Sequence, residues 1–371
     1  MLTARKKIDI KVFYTWGEDV LKNKFDPGFG KVIEWDIPLL EGYDFIMMNN
    51  VSNNPGSHHF KGIVNPTLVN EIESWGANAV LIYGWSFNSH LKCMRYFKGK
   101  IPVYFRGDST LLDESGNFLK KIIRKYFLRW VYKYVDFAFY VGQANKKYFI
   151  QNGLNEKQLI FVPHAIDNNR FSKSANYSFR RQLGISNEKI LFVFAGKFET
   201  KKNPFLLMNA FVSLNDMHAD LLFVGNGPLE IKLKEKWLQL SDDIKYRIHF
   251  LDFQNQSLMP DIYKAADVFV LPSKGPGETW GLSINEAMAS SKAVLVSDKC
   301  GAALDLVKDN KNGFVFESDN EKSLINKMKT LIKQKEMVDD FGQYSSEIIR
   351  NWSFEKIALN IEIFFLNSEI N

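Results

Sequence analysis

Only two cysteines, Cys93 and Cys300, occur in 371 residues. They lie far apart and match no Cys/His metal spacing, which argues against a disulfide framework and a structural zinc and fits a reducing compartment. Glycine and proline are sparse, at 23 and 11 residues, so the chain is not collagenous, disordered or of low complexity. No window approaches about 20 uncharged apolar residues, which leaves no candidate spanning helix. The start, Met1-Leu2-Thr3-Ala4-Arg5-Lys6-Lys7, lacks the apolar stretch of a secretion signal. The expectation is a cytoplasmic protein, soluble or peripheral at the inner face of a membrane. Nucleophile-elbow, P-loop and zinc-protease motifs are all missing. His58 and His59 are adjacent and so diverge, while His90 and His164 stand singly. Hydrolase, kinase and metal-site readings therefore lack residues.

What is present is an ordinary globular composition, 46% hydrophobic and 24% charged, with length for about two domains. Lys plus Arg exceeds Asp plus Glu by 48 to 42, an excess that suits anionic ligands but is too mild for a nucleic-acid binder. Short runs rich in Val, Ile and Phe alternate with segments of helical periodicity, the pattern of a parallel sheet covered on both faces. Strands are expected near 8–15, 43–49, 78–83, 102–106, 136–141 and 159–162, and again near 190–195, 220–225, 247–251, 267–271, 293–296 and 313–316. Between the two sets lies the polar stretch Ser172 to Ser178, taken as the boundary. The reading is α/β: two doubly wound, Rossmann-like domains at 1–175 and 176–350 facing a central cleft, and a helical segment, 351–371, able to fold back on the first. Ligands in such sheets collect beyond the carboxyl ends of the strands.

Two strand ends carry candidate chemistry. After Val268–Leu271 comes a Gly/Pro loop, then a helix at about Leu282, whose unpaired amides at Gly281 and Leu282 can hold phosphate. Glu278 and Glu286 flank that helix start, and carboxylates accept well from sugar hydroxyls. Equally, Ser283 with Glu286 three residues on is a capping box that needs no ligand. After the strand 190–195 come Gly196, Lys197 and Lys202: a glycine that lets backbone approach a ligand, and two ammonium groups able to neutralise a diphosphate. The plain alternative is a solvated basic loop before a helix, with Asn203 as its cap and Pro204 at its first position. Gly225-Asn226-Gly227-Pro228 reads as an ordinary turn.

With both segments in view, residues 187–318 resemble the donor domain of the retaining GT-B glycosyltransferases, glycosyltransferase family 4. The family's paired glutamates are matched by Glu278 and Glu286 followed by Ala287-Met288-Ala289, and its basic pair by Lys197 and Lys202. The first of that pair is more often Arg, which bears on bidentate phosphate contact but not on charge. The resemblance implies a nucleotide-sugar donor with Lys197 and Lys202 on its diphosphate and Glu286 on its ribose. Glu278, with the amides of Gly281 and Leu282, would lie near the transferred sugar, and the base near Asp252 and Phe253. Retention follows from the family alone. No metal or other cofactor is implied, since two lysines and a helix end can supply the charge that Mg²⁺ would bring. The first half matches less well. Asp108 stands at about the place where many relatives carry a histidine near the transferred sugar, and Arg106 and Asp108 are candidates for contacts with donor or acceptor, or for a mutual ion pair closing the loop. Phe29 and Gly30 take the place of the family's glycine-rich loop.

The expected activity is transfer of a sugar from a nucleoside diphosphate, UDP and GDP unresolved, to a hydroxyl of a glycan or lipid-linked glycan, as in cell-surface polysaccharide synthesis. A nucleotide-sugar epimerase or phosphorylase, or a nonenzymatic glycan- or nucleotide-binding protein, remain the alternatives. The stretch Phe118 to Val135 has Lys120, Lys121, Arg124, Lys125, Arg129 and Lys133 but no acidic residue. Its basic side and its stripe of Ile123, Tyr126, Phe127, Trp130 and Tyr134 suit an anionic membrane, or an ordinary surface helix with that stripe on the sheet.

Overall fold

The computed structural model describes residues 1–17, 24–26, 28–113, 117–173 and 179–368. Pro27 and residues 174–178 of the expected boundary stretch lie outside them. The chain forms two compact units: Met1–Lys24, Pro38–Pro163 and Glu355–Asn371 make the first, and Phe25–Ile37 and His164–Phe354 make the second.

In chain order the strands are β1 (Lys11–Tyr14), β2 (Lys24–Asp26), β3 (Lys31–Ile33), β4 (Asp44–Met47), β5 (Val80–Tyr83), β6 (Val103–Arg106), β7 (Phe137–Tyr140) and β8 (Leu159–Phe161). They continue with β9 (Ile190–Ala195), β10 (Ala219–Val224), β11 (Ile248–Leu251), β12 (Val268–Leu271), β13 (Ala293–Ser297) and β14 (Gly313–Phe316). Every strand expected from the sequence is present. The two that were not expected, β2 and β3, pair with each other.

In the first unit β1 pairs parallel with β4, and β5 to β8 form a parallel sheet in sequential order. One face is covered by Met94, Phe97, Leu128, Val131 and Phe149 from the helices between strands. The helix Phe354–Ser368 covers Tyr104, Phe139 and Val162 through Ile361, Phe364 and Phe365.

The second unit is a six-stranded parallel sheet in the order β11-β10-β9-β12-β13-β14. Its strands are buried on both faces, as the unbroken apolar runs Ile190–Ala195 and Val268–Leu271 require. The order reverses between β9 and β12, so the crevice for ligands opens beyond the ends of these two strands. The longer segment of this unit begins at His164, ahead of the boundary read from the sequence. The reason is Phe171, which is fully buried with its ring against Tyr263 and its carbonyl accepting from Ser290 Oγ at 3.3 Å.

Candidate functional site

Beyond β9 the chain turns at Gly196 and runs through a 3-10 turn, Thr200–Lys202, into the helix Pro204–Leu214. Asn203 occupies the cap position with left-handed backbone, but its side chain makes no cap and donates instead to Asp319 at 3.0 Å. The neighbouring turn after β10 is more than a plain turn. A Cβ on Gly225, whose φ is +135°, would come within 2.1 Å of the Gly196 carbonyl, so only glycine lets the two strand ends lie together.

Beyond β12 the loop carries Glu278, only 6% exposed. Its carboxylate accepts from Ser273 Oγ at 2.9 Å and meets Lys202 Nζ at 2.6 Å. One of its oxygens lies 3.7 Å from where a Gly281 Cβ would stand, so Lys202, Glu278 and the start of the next helix adjoin. That helix, Leu282–Ala289, has Gly281 as its N-cap with φ 98° and no side-chain cap. Ser283 is therefore its second residue and not its cap, and the capping-box alternative for Glu286 falls away. Glu286 instead accepts from the Tyr263 hydroxyl at 2.9 Å. Burial pushes its carboxyl up to about 7, against the opposing pull of that hydroxyl and of the Arg170 and Lys202 charges. Burial and the adjacent carboxyl in turn hold the Tyr263 phenol well above its ordinary range.

Lys197 is placed differently from Lys202. Its ammonium meets both Asp26 oxygens, at 2.8 and 2.9 Å, and lies 4.9 Å from the centre of the Phe29 ring. Burial would raise the Asp26 carboxyl, but Lys197 and the amides of Gly28 and Phe29 outweigh it and hold it below its ordinary value. Each of the two lysines thus has a carboxylate partner. Phe29 continues into an edge-to-face contact with Phe253, with ring centres 4.7 Å apart. Gly30 lies exposed beside it with φ 68°. Asp252 and Phe253 are organised by buried Asn226, whose Oδ1 accepts from the Phe253 amide at 2.7 Å and whose Nδ2 donates to Asp252 at 3.2 Å. Lys31 reaches Asp252 at 3.8 Å.

In the first unit Arg106 is buried and donates to the carbonyls of Val162 and Pro163 at 2.9 and 3.1 Å. Burial lowers its pKa, while the charge of Asp108 opposes that shift. Two of its donors tie β6 to the end of β8, a job that neither sequence alternative, a donor or acceptor contact or an ion pair with Asp108, foresaw. The structure thus gathers Lys202, Glu278, Gly281, Leu282 and Glu286 at the β9/β12 switch point. Lys197, Phe29, Gly30, Asp252 and Phe253 form a second group at the mouth of β9 to β11. Sequence reasoning missed Asp26, Ser273, Asn226, Tyr263 and Arg170, whose guanidinium donates to Gln256 at 2.7 Å. Among the described residues no group of three or more His, Cys, Asp or Glu side chains is arranged to hold a metal ion.

Residues 177–348 match the model of the family described as glycosyl transferases group 1. The matched stretch lies within the second unit. The chain is 30% identical over 176 residues to an uncharacterized glycosyltransferase of Methanocaldococcus jannaschii, covering 47% of this chain and 42% of that protein. It is 27% identical over 216 residues to the UDP-Gal:alpha-D-GlcNAc-diphosphoundecaprenol alpha-1,3-galactosyltransferase of Escherichia coli, covering 57% of this chain and 54% of that one. The chain spans about half the length of the curated relatives it matches. The crystal structure of Anabaena HepE in complex with UDP superposes with a TM-score of 0.67 at 20% identity over 82% of each chain. That likeness shows the fold: GT-B, with two Rossmann-like domains, in agreement with the parallel sheets of both units. The matched residues, 177–348, include all the residues read from the sequence as donor contacts.

Proposed function

We propose that the chain is a retaining, metal-independent glycosyltransferase that moves a sugar from a nucleoside diphosphate to a hydroxyl of a glycan or lipid-linked glycan. The observation that carries this reading is the Lys202–Glu278 pair at 2.6 Å beside an uncapped helix N-terminus, with Glu286 of that helix held by Tyr263 from the helix Met259–Ala265. An ammonium group and free main-chain amides are what a departing diphosphate needs. Their positive charge makes a divalent cation unnecessary in this reading. Retention rests on the resemblance to glycosyltransferase family 4.

In the proposed reaction the bond between the anomeric carbon and the diphosphate oxygen breaks, and a bond from the acceptor oxygen to that carbon forms. The acceptor's proton passes to the departing phosphate. Lys202 and the amides of Gly281 and Leu282 stabilise the negative charge that develops. Glu278 holds Lys202 in place and accepts from hydroxyls of the transferred sugar, while Glu286 accepts from the ribose. Lys197 completes the diphosphate site by exchanging Asp26 for phosphate oxygen. The base lies near Asp252 and Phe253. Donor and acceptor chemistry of this kind is named for the Escherichia coli relative, and UDP for the Anabaena structure.

The test is a melting-temperature panel of UDP, GDP, ADP and their sugars, followed by turnover in EDTA with glycan and lipid-linked acceptors. One nucleotide family should raise the melting temperature, and its sugar should be consumed only when an acceptor is present. A donor altered without acceptor would make the protein an epimerase, and no stabilisation by any nucleotide would end the reading.

A further inference from the structure

The helix Phe118–Tyr132 departs from the arrangement expected for an ordinary surface helix. Its contacts with the core come from buried Leu128, Val131 and Tyr132 and partly buried Trp130, all in its second half. Its first half leaves Phe118 76%, Leu119 67%, Ile123 69% and Tyr126 68% exposed. At 100° per residue these four fall within an arc of about 140°, centred on the side away from the buried residues. Ile123 and Tyr126, which the ordinary surface-helix alternative would have placed on the sheet, are thus in solvent. A water-facing helix side normally carries the polar residues, so a contiguous apolar strip there requires a partner.

The charge around the strip identifies the partner's chemistry. Lys120 lies on one flank of the strip and Lys125 on the other. From 117 to 135 the sequence carries six basic residues and no acidic one. A protein partner for an apolar strip needs a matching groove and acids at two separate flanks. An anionic bilayer meets both demands with one surface: acyl chains for the apolar side chains, and headgroup phosphates for ammonium groups on flexible stems. No helix among the described residues is long and apolar enough to cross a membrane, so such contact would be at the surface.

We propose that the first half of this helix docks the protein on an anionic membrane by inserting Phe118, Leu119, Ile123 and Tyr126, with the flanking lysines on lipid phosphate. The proposal stands apart from the assigned reaction, because binding is measured without substrate.

The experiment is sedimentation of the full chain with vesicles of phosphatidylcholine alone and with a third of phosphatidylglycerol. Binding should require the anionic lipid. Replacing the flanking Lys120 and Lys125 together by Gln should weaken it by about 25-fold, at about fivefold per lysine near such a surface. Leu119→Ser with Ile123→Ser should weaken it at least about tenfold while leaving the melting temperature unchanged, since both side chains are exposed. No binding to either vesicle, or equal binding to both, overturns the proposal. So does a dimer in solution that the Leu119/Ile123 variant dissolves without any vesicle binding, which would make a second copy the occupant.

Discussion

Replacing Lys202 by Met should separate its two jobs. The carboxylate of Glu278 is almost wholly buried and meets Lys202 at 2.6 Å and Ser273 at 2.9 Å. Removing the ammonium strands a buried charge, which costs about 3–5 kcal/mol. At about 2–4 °C per kcal/mol for a unit of this size, the transition of the second unit should fall by about 10 °C in scanning calorimetry. Glu278→Gln in the same chain removes the stranded charge and keeps an acceptor for Ser273, so the double variant should recover most of that loss. Turnover should behave otherwise. Lys202→Met should lower it by about 100-fold, the loss seen when one preorganised donor to a developing anion is removed, and the double variant should not regain it. Recovery of turnover together with stability would show that Lys202 serves the fold alone. A double variant as unstable as the single one would show that the pair is not the source of the loss.

Further consequences can be checked directly. The Glu286 carboxyl, raised by burial to about 7, makes the folded state bind more protons than the unfolded one between about pH 4.5 and 7. Its contribution is therefore most favourable below that window and is lost as pH rises through it, by at most about 3 kcal/mol. Glu286→Gln should cancel that loss, and a stability difference from wild type that stays constant between pH 5 and 8 would contradict the assignment. Asp26→Asn keeps an acceptor for the Gly28 and Phe29 amides but weakens the hold on Lys197. Nucleotide-sugar binding should tighten about two- to fivefold, the scale of a part-exposed ion pair, and weaker binding by calorimetry would show that Asp26 organises the donor site instead. Burial pushes both Cys93 and Cys300 up to about 12, so neither should react with a thiol reagent at pH 8 until the chain is unfolded. Rapid labelling of the native protein would refute this.

The central strands of the six-stranded sheet were legible because a strand buried on two faces must be an unbroken apolar run, and Ile190–Ala195 or Val268–Leu271 can be little else. Lys202, Glu278 and Glu286 were legible through their spacing around two strand ends. Asp26 was not, because a single acid before a proline and glycine has no local signature. Its pairing with Lys197 joins residues 171 positions apart. Tyr263 and Asn226 were hidden for the same reason: each is one polar residue whose partner comes from another strand connection. The Ser283/Glu286 pattern misled because a capping box is defined by register. With Gly281 as the cap, the same two residues fall two positions too far into the helix. β2 and β3 are three residues each, too short for any alternation to show.

The peptide Phe25–Ile37 belongs to the second unit although the residues on both sides of it belong to the first. A chain trimmed to residues 164–354 would therefore be an incomplete piece. It would lack Asp26 for Lys197, Phe29 for Phe253, and the Glu34 carbonyl that accepts from Asn255 Nδ2 at 2.5 Å. Such a fragment should regain order when a synthetic peptide of residues 24–37 is supplied in trans, as split proteins do when a missing strand is returned. The second unit of this molecule is thus assembled from two stretches of sequence that no single cut can deliver together.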